Sequence, residues 1–295
     1  MLPRLPAALA LLSALASALP VRRAPTAALS STSISAFRPY THYASAAYCS
    51  AAATRAWTCG AACAANAGFV PVASGGDGDS TQFWYVGYDP ALETVVVGHQ
   101  GTDPRELLPV LTDIDLVPAP LSAALFPGVA SSVLVHSGFR DAHAKSATDV
   151  LAAVQSALSQ HGASQVTLVG HSLGAAIALL DAVYLPPHLP QATFKTVVYG
   201  LPRVGNQAFA DYVDAHVGSL AHITNNRDPV PTLPGRFLGF HHASGEVHID
   251  ASGAWMACSG QDNTSSECST GAVPNIFVGD VGDHDGPYDG VTMGC

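Results

Sequence analysis

The chain is predicted to be an α/β protein whose mainly parallel central sheet is flanked by helices and stapled by disulfides. Three observations carry that reading. Short β-rich runs alternate with helical stretches. A Gly-x-Ser-x-Gly turn joins one such run to an apolar helix. Six cysteines follow an apolar leader, which places them where disulfides form.

The leader comes first in the chain. Ala7 to Leu19 is apolar apart from Ser13 and Ser17, uncharged throughout behind Arg4, and too short to span a bilayer comfortably. Ala16-Ser17-Ala18 gives a small-x-small cleavage pattern. Residues 1–18 are therefore expected to be a signal peptide and the protein to be secreted and extracellular. Arg22-Arg23 resembles a dibasic processing site, so 19–39 reads as a propeptide or linker and 40–295 as one folded domain. No second apolar stretch predicts a transmembrane segment.

With 12% charged and 48% hydrophobic residues in 295, a disordered chain is excluded and a large single core is feasible. The formal charge is −10, and the three arginines of the first 23 residues face no acid there, so the remainder is more acidic still. Such a surface repels phosphate backbones, which excludes nucleic acid as a partner.

Tyr40 to Ala53 is Ala-rich and reads as a helix. Gln82 to Tyr88 and Glu93 to Gly98, separated by Asp89-Pro90, read as a β-hairpin. Gly138 to His161 reads as one long helix, with Val150, Leu151, Val154, Ala157 and Leu158 at helical spacing. Gln165 to Val169 is a strand, followed by the Gly-x-Ser-x-Gly turn and the apolar helix from Ala175. Thr196 to Tyr199, Ala221 to Thr224 and Glu246 to Ile249 supply further strands.

Six cysteines can pair in many ways, but spacing favours the local loops Cys59–Cys63 and Cys258–Cys268. Cys49 is then left to Cys295. A loop that long stabilises the fold by about 5 kcal/mol in the chain-entropy model. No CxxC pair is present, so no metal is expected. Asn263-Thr264-Ser265 is a glycosylation sequon, expected on an exposed loop.

Gly170-His171-Ser172-Leu173-Gly174 sits between strand and helix, the context a nucleophile elbow requires. A serine hydroxyl is a weak nucleophile at neutral pH and needs a base. In the α/β-hydrolase order an acid follows the serine and a histidine follows the acid. Asp228 directly follows a strand, in Asn225 to Pro229, and is preferred over Asp211, Asp214 and Asp250. His284, in Gly282 to Gly286, is preferred over His241, His242 and His248, because a mobile glycine-flanked loop suits an imidazole that must reach the serine.

These segments resemble the fungal class 3 lipases. Gly170 to Gly174 has that family's nucleophile wording, and Gly200-Leu201-Pro202-Arg203-Val204-Gly205-Asn206 is similar to its G-x-P-R-V-G-[ND] segment. Asp228-Pro229-Val230-Pro231-Thr232-Leu233-Pro234 resembles its acid-bearing stretch, and Val135 to Phe139 the opening of its long helix. Phe240 to Ile249 looks like a strand pair in which His242 and Glu246 are structural. The resemblance runs from about Cys49 to Cys295 and favours the same cysteine pairing. It implies an α/β-hydrolase fold and hydrolysis of acylglycerol esters, with feruloyl or other soluble esters as the alternative. It further implies an oxyanion hole from the Leu173 N–H and Thr102, and a lid over about 103–113 with Leu107, Leu108, Val110 and Leu111 on its apolar side. The chain departs from the family at His99-Gln100, where an aromatic-Arg pair is usual, and at His284 to Tyr288, where His-x-x-Tyr-Phe-Gly is usual.

The expected partner is a lipid or ester substrate at an oil–water interface, and no cofactor is required. A catalytically silent lipid-binding protein is the remote alternative, disfavoured because every triad position is occupied.

Overall fold

The computed structural model describes residues 25–102, 106, 108, 109 and 118–295. The expected signal peptide and the lid residues Leu107, Val110 and Leu111 lie outside the described residues.

The strands are β1 (Thr26–Ala28), β2 (Val70–Gly75), β3 (Trp84–Asp89), β4 (Thr94–His99), β5 (Pro118–Pro120), β6 (Leu134–His136) and β7 (Gln165–His171). They continue with β8 (Thr193–Tyr199), β9 (Gly205–Asn206), β10 (Leu220–Asn225), β11 (Phe240–His241), β12 (Glu246–Ile249) and β13 (Trp255–Cys258). The main sheet has the order β1-β13-β12-β10-β8-β7-β4-β3-β2. Its five middle strands, β12, β10, β8, β7 and β4, are parallel. The pairings outside them are antiparallel, so the sheet is mixed, with the expected parallel part at its centre. A small antiparallel sheet, β11-β9-β6-β5, stands apart from it. With helices on both faces and the Ser172 turn at the end of a central strand, this is the α/β-hydrolase fold.

Strand periodicity divides the core into two layers. On β3 and β4, Trp84, Val86, Val95 and Val97 enter one cluster, while Tyr85 and Val96 enter the other. β8 repeats this, with Val198 on the first side and Val197 and Tyr199 on the second. The first layer is closed by the helices Ser137–Ala144, Ala147–His161 and Leu173–His188. In the last of these every residue from Gly174 to Leu185 is buried, because the helix has no polar stripe to turn to water. Each buried leucine there contributes about 2 kcal/mol.

Several sequence expectations change at this level. The long helix over 138–161 is broken at Lys145-Ser146. The break lets the first half bury Phe139 and His143 and the second bury Val150, Val154 and Ala157 on different neighbours. The helix expected over 40–53 also divides, into Arg38–Ala46 and Ala51–Ala56. Cys49 lies in that gap, tied to Cys295, and Ser50 caps the second helix through Ala53 N–H. Phe240 to Ile249 is not a strand pair. β11 joins β9 in the small sheet, while β12 lies between β10 and β13 in the large one.

The folded part also begins earlier than residue 40. β1 pairs with β13, Leu29 N–H donates to Trp255 O at 2.8 Å, and Phe37 stacks on Trp255. Leu29, Ile34 and Phe37 pack on the second core layer, an apolar anchoring that a linker does not have. The three disulfides join Cys49–Cys295, Cys59–Cys63 and Cys258–Cys268, as the spacing favours. The sequon expectation needs correction, because Asn263 is only 3% exposed. Its Nδ2 donates to Ser259 O and its Oδ1 accepts from Ser265 N–H, so the amide that a glycan would occupy is turned inward.

Candidate active site

Ser172 stands between the last residue of β7 and the first of the helix Leu173–His188. Its backbone has φ 60° and ψ −127°, a strained setting for a residue with a side chain. The turn is possible because its two glycines carry no Cβ. A Cβ on Gly170 would collide with the Gly174 carbonyl, and one on Gly174 with the backbone of His99 and Gln100. Ser172 N–H donates to Tyr199 O at 3.0 Å, which fixes the turn onto β8. Leu173 begins the helix, so its N–H has no preceding helical carbonyl and stands at the positive end of the dipole.

Asp228 follows β10 in a tight turn, with its N–H donating to Asn225 O. Its Oδ1 accepts from Val230 N–H at 2.9 Å, and its Oδ2 lies 2.8 Å from His284 Nδ1. Ser172, Asp228 and His284 are all buried. Two buried atoms there lack any hydrogen-bond partner, Ser172 Oγ and His284 Nε2. Bringing them together therefore breaks no existing bond.

The neighbourhood of His284 is held more firmly than a mobile loop would be. Its carbonyl accepts from Tyr288 Oη and from His171 Nε2, each at 2.9 Å. Asn225 Nδ2 donates to Asp283 O, and Arg227 N–H to the Asp283 carboxylate, so the acid turn and the histidine turn are stitched together. The His171 and His284 rings lie 4.4 Å apart. Burial, and then the neighbouring His284, hold the His171 pKa well below its usual value, so that ring is neutral. Its Nε2–H donates to the His284 carbonyl, and its Nδ1 accepts from Tyr48 Oη at 2.6 Å. Tyr48, His171 and Tyr288 were not singled out as site residues. Their only sequence signals were the second letter of the nucleophile turn, His171, and the displaced tyrosine after His284, Tyr288.

Thr102 follows β4 near the same end of the sheet. Gln82 Nε2 donates to its Oγ1 at 3.1 Å and to Gly101 O at 3.2 Å, which leaves the threonine O–H free to point elsewhere as a donor. Gln100, at the position where the family usually has Arg, accepts from Phe83 N–H at 2.8 Å and extends the β3–β4 pairing. His99 is turned away, 2.7 Å from Asp181 in the apolar helix. Of the expected lid, Glu106, Leu108 and Pro109 are helical, and Leu108 packs against the first core layer.

The rival candidates are occupied elsewhere. His242 donates through Nε2 to Pro231 O at 2.7 Å, and burial, followed by the nearby His222, depresses its pKa to about 3. His248 bonds Thr224 and His241 bonds Asp262. Asp211 and Asp214 are exposed on the helix Gln207–His216, and Asp250 caps a turn through Ser252 and Ala254. Among the described residues, the only metal-type cluster is Glu246 with Cys258 and Cys268, whose sulfurs are joined to each other. No helix among the described residues is long and apolar enough to cross a membrane.

The family model of class 3 lipases matches residues 96–238. A secreted mono- and diacylglycerol lipase of Malassezia globosa is 32% identical over 231 residues, covering 74% of each chain. Secreted mono- and diacylglycerol lipase 3 of Gibberella zeae is 32% identical over 228 residues, covering 74% of this chain and 70% of its own. A solved triacylglycerol lipase whose catalytic centre is a serine-protease triad superposes with a TM-score of 0.77 at 29% identity, covering 91% of this chain and 98% of that one. The Rhizomucor miehei lipase in complex with its propeptide gives 0.78 at 29%, covering 92% and 84%.

Proposed function

The chain belongs to the class 3 lipase family, and on that premise we propose that it cleaves acylglycerol esters through Ser172, with His284 as base and Asp228 as the orienting acid. It is a secreted acylglycerol lipase, a carboxylic ester hydrolase. One observation carries the residue roles: at this site a buried serine hydroxyl without a partner accompanies the unpartnered far nitrogen of an imidazole whose near nitrogen is on a carboxylate.

His284 Nε2 takes the Ser172 proton as Oγ attacks the ester carbonyl, and Asp228 stabilises the imidazolium. The developing oxyanion meets the Leu173 N–H and the Thr102 donors; losing one such donor costs about 3 kcal/mol. The imidazolium then gives its proton to the leaving alcohol, and water activated by the same nitrogen releases the acid from the acyl-enzyme. His171 and Tyr288 act on the carbonyl of His284, so they position the ring without touching substrate.

Contact with a lipid surface is supported by two loops. Phe237 is 87% exposed and Phe277 94%, and Ile276 and Val278 are also exposed. These residues lie on the stretches that follow Asp228 and precede His284. Phe237 and Ile276 border a cavity of about 830 Å³ that Leu233, Leu238 and Val273 also line. Residues 103–113, directly after Thr102, are the lid in this reading. Activity on a short-chain triacylglycerol is expected to rise as the ester passes its solubility limit, and Ser172→Ala should abolish activity on both sides of that limit. A linear dependence through the limit would contradict the interfacial part. Persistence of activity in Ser172→Ala would contradict the nucleophile.

A further inference from the structure

Gln82 belongs neither to the triad nor to the oxyanion hole, yet its side-chain amide is directed entirely at the oxyanion segment. Its Nε2 donates to Thr102 Oγ1 at 3.1 Å and to Gly101 O at 3.2 Å. It does so from a fixed support. On one side, the turn from Asp77 to Thr81 closes on itself: Asp77 and Gly78 N–H donate to Thr81 O, and Thr81 N–H donates to the Asp77 carboxylate. On the other, Phe83 is held by one residue, its N–H donating to Gln100 Oε1 and its carbonyl accepting from Gln100 N–H. The Gln82 carbonyl packs so closely on Gly76 that a Cβ there would collide with it.

The two bonds act on two different donors. A hydroxyl carries one hydrogen and two lone pairs, and it rotates until a neighbour occupies one of them. Thr102 lines an open cavity of about 580 Å³, where water competes for that hydrogen. An amide N–H aimed at Oγ1 occupies a lone pair and turns the hydroxyl hydrogen to the far side. The grip on Gly101 O acts on the backbone instead. Gly101 O and Thr102 N–H share one planar trans peptide and point in opposite directions, so holding the carbonyl aims the N–H away from Gln82. Gly101 in turn lies against the nucleophile turn, since a Cβ on it would stand 3.0 Å from Ser172 Cβ. We propose that Gln82 is the positioning residue of the oxyanion hole, holding both Thr102 donors toward the developing charge with no contribution from residues 103–113. Donors fixed beforehand need no reorganisation when the charge appears. The hole is thus formed before the lid moves, and the lid controls access to it alone. This assignment rests on the acylglycerol lipase reading and names a further residue on which its chemistry depends.

The test measures kcat and KM of the whole secreted protein on p-nitrophenyl butyrate below its solubility limit. Gln82→Leu should lower kcat about thirtyfold and leave KM within about twofold of the wild type, because the donors remain and only their aim is lost. Thr102→Val should lower kcat about a hundredfold. The double variant should stay within about threefold of Thr102→Val, since the second change removes the group that the first one aims. Gln82→Glu keeps the side chain's shape but replaces the donor with an acceptor, which draws the hydroxyl hydrogen to itself. Its kcat should fall further than that of Gln82→Leu. On tributyrin, the loss in Gln82→Leu should be equal below and above the solubility limit. A loss that vanishes above the limit would mean that the lid segment aims Thr102, and it overturns the proposal. A raised KM at unchanged kcat overturns it too, as do losses that multiply in the double variant. Should Gln82→Leu not fold, a wild-type kcat in Gln82→Glu overturns it. Failure of the wild type to cleave either ester would instead break the lipase reading on which the proposal stands.

Discussion

The molecule holds two buried histidine–aspartate assemblies that are alike in chemistry and differ in what surrounds them. At the first, His284 Nδ1 meets Asp228 at 2.8 Å, and the other carboxylate oxygen takes a backbone N–H. Its free nitrogen shares the site with a buried hydroxyl that also lacks a partner. At the second, Asp181 sits in the nucleophile helix with both oxygens taken by imidazoles, His99 at 2.7 Å and His143 at 2.9 Å. There His143 lies against the rings of Phe126 and Tyr184. In the proposed mechanism the first assembly moves a proton; the second joins β4, the helix Ser137–Ala144 and the nucleophile helix. The carboxylate–imidazole contact alone therefore does not mark a catalytic site. His143 Nδ1 is also buried without a partner, so the distinguishing feature of the proposed site is the unpartnered Ser172 hydroxyl that accompanies the imidazole.

The sharpest way to break this contrast is to remove each acid in turn. Asp228→Asn should lower kcat on a soluble butyrate ester by about 10⁴-fold, because the imidazole loses the partner that sets its tautomer. Its urea midpoint should stay near that of the wild type. Asp181→Asn should show the reverse, with a loss of about 3–5 kcal/mol in unfolding free energy and activity per folded molecule within a few-fold of the wild type. A large stability loss in the first variant, or a large kcat loss in the second, would erase the distinction.

A smaller effect follows from the Asp181 titration. Burial tends to raise its pKa, but hydrogen bonds from His143 and His99 outweigh burial and bring it from 3.8 to about 2. A folded-state pKa below the unfolded value means that the stabilisation is complete above about pH 4 and disappears as pH falls through about 2. It amounts to about 2 kcal/mol. Urea midpoints measured from pH 5 down to pH 2 should fall for the wild type, and Asp181→Asn should lack this component. Equal slopes would place the acid sensitivity elsewhere.

The two assemblies also differ in how visible they are in the sequence. Ser172, Asp228 and His284 were legible because each occupies a turn or loop of recognisable composition and the three follow a fixed order. The central strands were legible from their apolar runs, and the cysteine pairs from their spacing. Asp181 was not, since it is a single acid inside an apolar helix whose partners lie 82 and 38 residues away. The same long-range character hid Tyr48, whose hydroxyl reaches His171 across 123 residues. The break at Lys145-Ser146 carries no Gly or Pro, and the inward turn of Asn263 depends on its bond to the Ser259 carbonyl. Helical spacing could not locate the first, nor a sequon pattern the second.

Labelling of Ser172 by a fluorophosphonate tests most directly which imidazole serves the serine. Rates should be compared among wild type, His284→Ala and His143→Ala, each normalised to folded protein. His284→Ala should label at least about 10³-fold more slowly, while His143→Ala should stay within a few-fold of the wild type. Labelling of His284→Ala at the wild-type rate would contradict the assignment of the base.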